Sequence, residues 1–304
     1  MVTQIKFFGV RGSITLAHKD FINYGGNTAS LTLRTPENTL IFLDAGSGLH
    51  FAQNELKKKA ERVFLLLSHT HVDHIIGLGM SEIVRLTNQV GYESKKLKII
   101  GPKNVTKGLT KFYDGERIWP VSYSKDDSTG PNLPDIDYEN IIEFDNDFQK
   151  IEIDKKTKLI LFQGNHPIKD GVIFFRIEIT VDSKITSIIY ATDNEFDFNH
   201  NIKSEFHKYE LKYLKFIENC DLLIADAQYT KEDYELHKGF GHSYPEKVLQ
   251  LAIKANVRNI ILTHHHLYND NEMDIRIKKI QDYLKENNLD LKVAFAKENS
   301  ELWL

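Results

Sequence analysis

Three imidazoles and a carboxylate stand within six residues of SHTHVDHIIG, where His69, His71, Asp73 and His74 follow directly on the apolar run RVFLLL. Zn²⁺, Mn²⁺ and Fe²⁺ all accept these donors, and a strand ending in a loop can aim several of them into one cavity. A chance run of surface histidines would need the strand context, the spacing and any distant ligands all to be accidental. Four residues seldom complete two coordination spheres while leaving room for water, so further donors are expected elsewhere. Three apolar runs end in suitable residues: LILFQGNHP reaches His166, SIIYATDNE reaches Asp193 and NIILTHHH reaches His264. Each alone reads more readily as a turn residue or a satisfied polar group; together they read as one site. His264, His265 and His266 are consecutive, and side chains alternate along a strand, so only one or two can face a shared cavity. The first, nearest the strand, is the expected donor.

The elements that must carry these residues are short β-branched or aromatic runs. QIKFFGV, SLTLRT, TLIFLDA, RVFLLLS and LKIIG come first, separated by Gly, Asn, Pro and Asp clusters. A second series, KLILFQG, VIFFRIEI, SIIYAT, DLLIAD, NIILTH and LKVAFA, is interrupted by helical patterns near 201–219, 245–255 and 274–287. Two similar halves of this kind suggest two sheets packed face to face with helices outside, since each sheet must bury its apolar face. The stretch at about 110–150 differs, being acidic and holding three of the seven prolines, and reads as an insertion or lid. Its Tyr113, Trp119 and Tyr123 could stack on a planar base, although pinning the loop to the body is the favoured role.

HTHVDH resembles the H-x-H-x-D-H signature of the metallo-β-lactamase superfamily, and His166, Asp193 and His264 follow in that family's order. The resemblance implies an α/β (α+β) fold, a four-layer αββα metallo-β-lactamase sandwich, as one domain over 1–304. It further implies two divalent metal ions, zinc foremost with manganese or iron as alternatives. His69, His71 and His166 would hold one ion, Asp73, His74 and His264 the other, and Asp193 would bridge both. FFGVRGSI at 7–14 and YGGNTASL at 24–31 resemble a ribonuclease Z-like branch of phosphodiesterases that includes cyclic-nucleotide hydrolases. That branch has an acid in a segment like ADAQYT and a histidine in a GHS segment, here Asp226 and His242. A histidine outside the ligand set can protonate a leaving alkoxide while a carboxylate orients its ring. Alternatively His242 caps the helix that starts at Pro245, a role Ser243 could also fill.

The expected activity is therefore phosphodiester hydrolysis by a dinuclear metal-dependent enzyme, with Asp73, His242 and Asp226 serving the reaction. A metal-bridging hydroxide would attack a 3′,5′-cyclic nucleotide and release a nucleoside monophosphate. Seven donors with two carboxylates would leave two divalent ions a formal charge of about +2 to receive an anionic diester. His71 argues against the flavodiiron oxidoreductases of this fold, which place Glu there, and the end at Asp193 argues against β-lactamases that use a cysteine ligand. The acidic insertion does not resemble the Gly-rich basic arm of the processing ribonucleases, which makes RNA the less favoured substrate. A cyclic ribose phosphate, a lactone or a thioester are further alternatives within the hydrolases. An oxidoreductase or a noncatalytic metal-binding module would be a different class.

Composition agrees with a small-molecule substrate. The net charge of −4 supplies no overall basic field for a nucleic-acid backbone. The single cysteine, Cys220, fits a reducing cytoplasm and cannot build a thiolate cage. MVTQIKFFGVRGSI does not read as a signal peptide, and runs such as VFLLL are too short to span a bilayer. The resemblance also suggests a homodimer. Arg11 could meet a phosphate or be tied to a structural carboxylate, while His18, His50, His200, His207 and His237 lack a strand-end context and read as surface or core residues.

Overall fold

The computed structural model describes residues 3–81, 83, 97–115, 117–119, 141–200 and 206–304. Most of the expected insertion, with Tyr123, lies outside the described residues, as does the start of the 201–219 helical pattern. Two seven-stranded sheets form the centre. The first runs β1 (Gln4–Gly9), β2 (Ser30–Arg34), β3 (Thr39–Leu43), β4 (Arg62–Leu66), β5 (Lys98–Gly101) and β6 (Ile141–Glu143). The second runs β7 (Lys150–Glu152), β8 (Thr157–Gln163), β9 (Ile173–Val181), β10 (Lys184–Ala191), β11 (Leu222–Asp226), β12 (Asn259–Thr263) and β13 (Lys292–Phe295). A last strand, β14 (Glu301–Trp303), returns to the first sheet and pairs antiparallel with β1. Each half has the same plan, antiparallel strands passing into parallel ones: β1, β2 and β3 then β4, β5 and β6, and β7, β8, β9 and β10 then β11, β12 and β13.

The central strands are buried on both faces, which is why they read as continuous apolar runs rather than strict alternations. In β3, Ile41 and Leu43 point between the sheets, where they join Leu66, Phe175, Ile177 and Tyr190 in one core. Leu40 and Phe42 point outward, against Leu49 and Ala52 of α1 (Leu49–Ala52), Ile75 of α2 (Val72–Ile75) and Leu109 of α3 (Val105–Phe112). The outer face of the second sheet is covered in the same way by α4 (Phe206–Ile217), α6 (Pro245–Lys254) and α7 (Asp270–Glu286), with α5 (Lys231–Leu236) between the first two in sequence. Helix, sheet, sheet and helix make the four-layer sandwich expected from the sequence. Helix α7 starts four residues earlier than its apolar period suggests, because Asn269 and Glu272 form a reciprocal capping box at its start. Among the described residues no helix is long and apolar enough to cross a membrane.

One buried carboxylate ties the two sheets together at their edge. Asp154, in the β7–β8 turn, accepts from Thr35 Oγ1 at 3.0 Å, Thr39 Oγ1 at 2.7 Å and the Lys156 N–H at 3.0 Å. Burial pushes its pKa up, but the hydrogen bonds from Thr39, Lys156, Thr157 and Thr35 outweigh burial and hold it below the usual 3.8. A carboxyl whose folded pKa is depressed stabilises the fold above its unfolded value and loses that contribution as pH falls through the folded one. Asp154→Ala is therefore expected to cost about 1–3 kcal/mol in urea unfolding at neutral pH, with the gap to wild type narrowing below pH 3.8. A gap independent of pH would mean that packing, and not charge, makes the tie.

Candidate metal centre

The C-terminal ends of β3, β4, β8, β10, β11 and β12 converge, and every candidate donor follows one of them. His69 comes three residues after β4, and the chain then turns directly into the short helix α2, which has His71 as its N-cap and Asp73 and His74 on its single turn. The segment expected to be a loop is thus helical, which puts Asp73 and His74 side by side. His166, Asp193 and His264 follow β8, β10 and β12. Asp193 and His264 have φ of 54° and 61°, and so does the nearby Asp44 at 57°. Left-handed backbone is uncommon outside glycine, and strain of this kind gathers where the surrounding structure fixes a functional geometry.

The donor atoms fall into two groups, His69, His71, His166 and Asp193 in one and Asp73, His74, Asp193 and His264 in the other, each within 4.8 Å of its fellows. Asp193 belongs to both. Its Oδ2 lies 3.4 Å from His69 Nε2 and 3.7 Å from His166 Nε2, and its Oδ1 lies 3.3 Å from His74 Nε2 and 3.2 Å from His264 Nε2. In the second group Asp73 Oδ2 is 3.4 Å from His74 Nε2 and 3.2 Å from His264 Nε2.

Whether these residues suit cations can be tested from the far side of each ring. His166 Nδ1 faces the Gly241 carbonyl at 2.8 Å, His264 Nδ1 faces Gln228 Oε1 at 2.9 Å and His74 Nδ1 faces Asp44 Oδ2 at 2.8 Å. Each acceptor demands an N–H at Nδ1, which turns Nε2 inward. His166 Nε2 then lies 3.0 Å from His71 Nδ1 and His74 Nε2 lies 3.2 Å from His264 Nε2, with the oxygens of Asp193 alongside. Among the described residues buried His69 Nε2 has no hydrogen-bond partner. Burial, reinforced by His74 and the other imidazoles, drives His69 well below its usual pKa, and burial pushes His166 down to about 3, so both rings are neutral. At His74 burial opposes charge, yet Asp193, Asp73 and Asp44 raise its pKa well above normal. Imidazole nitrogens, those of His69 and His166 neutral, converging with buried carboxylates on one place fit divalent cations.

Beside this centre, His242 Nδ1 meets Asp226 Oδ2 at 3.1 Å. Asp226 is held in turn by the N–H groups of Asn194 at 3.1 Å, Ser243 at 3.3 Å and Gln228 at 2.9 Å. The His242 ring lies 4.9 Å from that of His264 and 5.1 Å from that of His166. Burial lowers its pKa, but Asp226, with Asp193 and Asp73 behind it, raises it to about 9. Capping does not account for His242: the N-cap of α6 is Tyr244, without a side-chain cap, and Ser243 Oγ donates to the Asn194 carbonyl. Asp226, His242 and His264 also cluster tightly, but the nearest His264 atom there is Nδ1, 4.0 Å from Asp226 and already committed to Gln228.

Of the three consecutive histidines only His264 joins the donors. His265 turns away to the Ala296 carbonyl at 2.9 Å, and His266 packs edge-on to Tyr229. Among the described residues Arg11 has no carboxylate within ion-pair distance. Fully buried, it donates to the carbonyls of Gly25, His266 and Tyr268 and so straps the N-terminal turn to the segment after His264. Tyr113 and Trp119 have the pinning role: the Tyr113 hydroxyl donates to the Ile75 carbonyl behind α2, and Trp119 lies against Tyr113. Sequence reasoning missed Asp44, which gathers Ser68, His74 and Tyr190. Its signal was the same as that of the donors, an acid ending the apolar run TLIFLDA. Gln228 and the Ser13 N–H, which donates to Asp73 Oδ2 at 2.7 Å, gave no such signal.

Residues 39–265 match the family model described as Beta-lactamase superfamily domain. A Ribonuclease Z of Sulfurisphaera tokodaii is 26% identical over 260 residues, covering 78% of this chain and 82% of that protein. The crystal structure of unliganded yeast PDE1 superposes over 100% of this chain and 99% of its own with a TM-score of 0.67 at 17% identity. The metallo-beta-lactamase fold protein YhfI from Bacillus subtilis does so over the whole of both chains with a TM-score of 0.65 at 16% identity.

Proposed function

We propose, for a chain that belongs to the beta-lactamase superfamily, hydrolysis of phosphodiesters at a pair of divalent cations, with 3′,5′-cyclic nucleotides as the substrate class. The observation that carries this reading is the single carboxylate of Asp193 shared between two donor groups, with the His242–Asp226 pair alongside. In this reading His69, His71 and His166 would hold one cation, Asp73, His74 and His264 the other, and Asp193 would serve both. Cations bound there supply an acidified water and positive charge to receive the diester.

The chain's own residues do the rest. Neutral imidazoles in the first group leave the incoming anion little negative charge to oppose it. Asp44, Gln228 and the Gly241 carbonyl lock the rings of His74, His264 and His166, so the donors need not reorganise during the reaction. Asp226 occupies His242 Nδ1, which leaves Nε2 to present a proton to the departing oxygen as the phosphorus–oxygen bond breaks. A cleft of about 760 Å³ beside His166, lined by Lys103, Gln163, Lys169 and His200 among others, is of a size that accepts a nucleotide.

RNA is the second reading, supported by relatives that carry the name Ribonuclease Z. The overall charge of −4 favours the small substrate. Protein loaded separately with Zn²⁺ and Mn²⁺ distinguishes them when offered 3′,5′-cyclic nucleotides and a small RNA with a 3′ trailer. Release of nucleoside monophosphate with the RNA intact is expected. RNA cleavage alone would move the assignment to a ribonuclease, and activity on neither would overturn both readings in favour of the ester and lactone alternatives.

A further inference from the structure

Two residues past Asp193, the fully buried Glu195 takes no part in the reaction described above. A carboxylate in that position is costly unless it is fully hydrogen-bonded. Its Oε1 accepts from the Tyr234 hydroxyl and the Gly239 N–H, both at 2.8 Å, and its Oε2 accepts from the Gly241 N–H at 2.8 Å and His200 Nε2 at 2.5 Å. Gly239 and Gly241 both have φ of 92°, so the loop between α5 and α6 turns two N–H groups onto this one carboxylate. Gly241 in turn offers its carbonyl to His166 Nδ1, and a Cβ at that position would lie 2.1 Å from the same nitrogen. His242 is the next residue.

We infer that Glu195 is a positioning residue for proton donation: its carboxylate clamps Gly239 and Gly241, and so fixes where His242 sits above the centre and how His166 is aimed. The inference rests on the reading of His242 as proton donor. Misplacing a reacting group by about 1 Å can cost on the order of 10²-fold in rate. Glu195→Gln puts an amide NH₂ against one pair of donors and releases either Gly239 or Gly241, whereas Tyr234→Phe removes a single hydroxyl from a site that otherwise keeps its packing.

The test compares both variants with His242→Ala on two esters of thymidine 5′-phosphate, one releasing phenol and one 4-nitrophenol, with bound metal quantified in each protein. The poorer leaving group needs the proton and the better one does not. Glu195→Gln is expected to lose roughly 10-fold or more on the phenyl ester relative to the nitrophenyl ester, compared at saturating metal and with KM unchanged. It should also shift or broaden the imidazole N–H resonance that His242→Ala deletes. Tyr234→Phe should move the ratio in the same direction by less, and it decides the matter if Glu195→Gln does not fold. Equal losses on both esters, or none, while His242→Ala remains selective, would overturn the role of Glu195 and leave the proton donor standing. A His242→Ala protein without selectivity would remove both.

Discussion

In the Asp193→Ala protein the metal-to-protein ratio is expected to fall to near zero, and phosphodiester turnover with it. The expectation comes from sharing. Most donors serve one group, but Asp193 gives one oxygen to each, and among the described residues it is the carboxylate within reach of His69 and His166 together. Its loss leaves the first group with three imidazoles and no carboxylate, and the second with His74, His264 and the single carboxylate of Asp73. Removing an outer partner of a ligand typically weakens metal affinity 10–100-fold, so losing a shared ligand should exceed roughly 10² in each group. Metal emission analysis after gel filtration reads the ratio directly. An independent reading is thermal: a metal that binds only the folded chain raises the melting temperature, and that rise should vanish in the variant. Full occupancy with normal turnover would show that Asp193 is not shared between two ions.

Much of this was legible in the sequence because burial and chemistry leave separate marks. Strands packed on both faces must be apolar throughout, so TLIFL, RVFLL and LLIAD read as core strands from residue type alone. Polar donors placed at the ends of such strands interrupt the apolar pattern, and that interruption is what marked His166, Asp193 and His264. β6, β7 and β14 escaped notice because three-residue strands at sheet edges, half-exposed, carry almost no pattern. Asp44 and Glu195 escaped for a different reason. Each makes its contacts with residues distant in sequence, Asp44 with Tyr190 and Glu195 with Tyr234, Gly239 and Gly241. A lone acid after an apolar run is indistinguishable from a turn residue until those partners are known. The left-handed backbone at Asp44, Asp193 and His264 was equally hidden, since Asp tolerates it locally and His is held there only by tertiary structure.

The His242→Ala protein separates chemistry from metal binding. His242 contributes no donor atom to either group around Asp193, and its ring stands against those of His264 and His166. Both metals should therefore remain, while turnover of a diester with an alkoxide leaving group falls by about 10² to 10⁴-fold, the usual contribution of a general acid. Asp226 sharpens the expectation, because it holds the imidazole through Nδ1 and, against burial, helps raise its pKa to about 9, which keeps the proton available at neutral pH. Asp226→Asn should reproduce part of the loss, since the amide can preserve the contact without stabilising the imidazolium. If instead His242→Ala loses metal in step with activity, the ring belongs to the ligand set. If it keeps both metal and activity, the departing oxygen takes its proton from elsewhere, and the burial of the His242–Asp226 pair serves only to anchor the loop between α5 and α6.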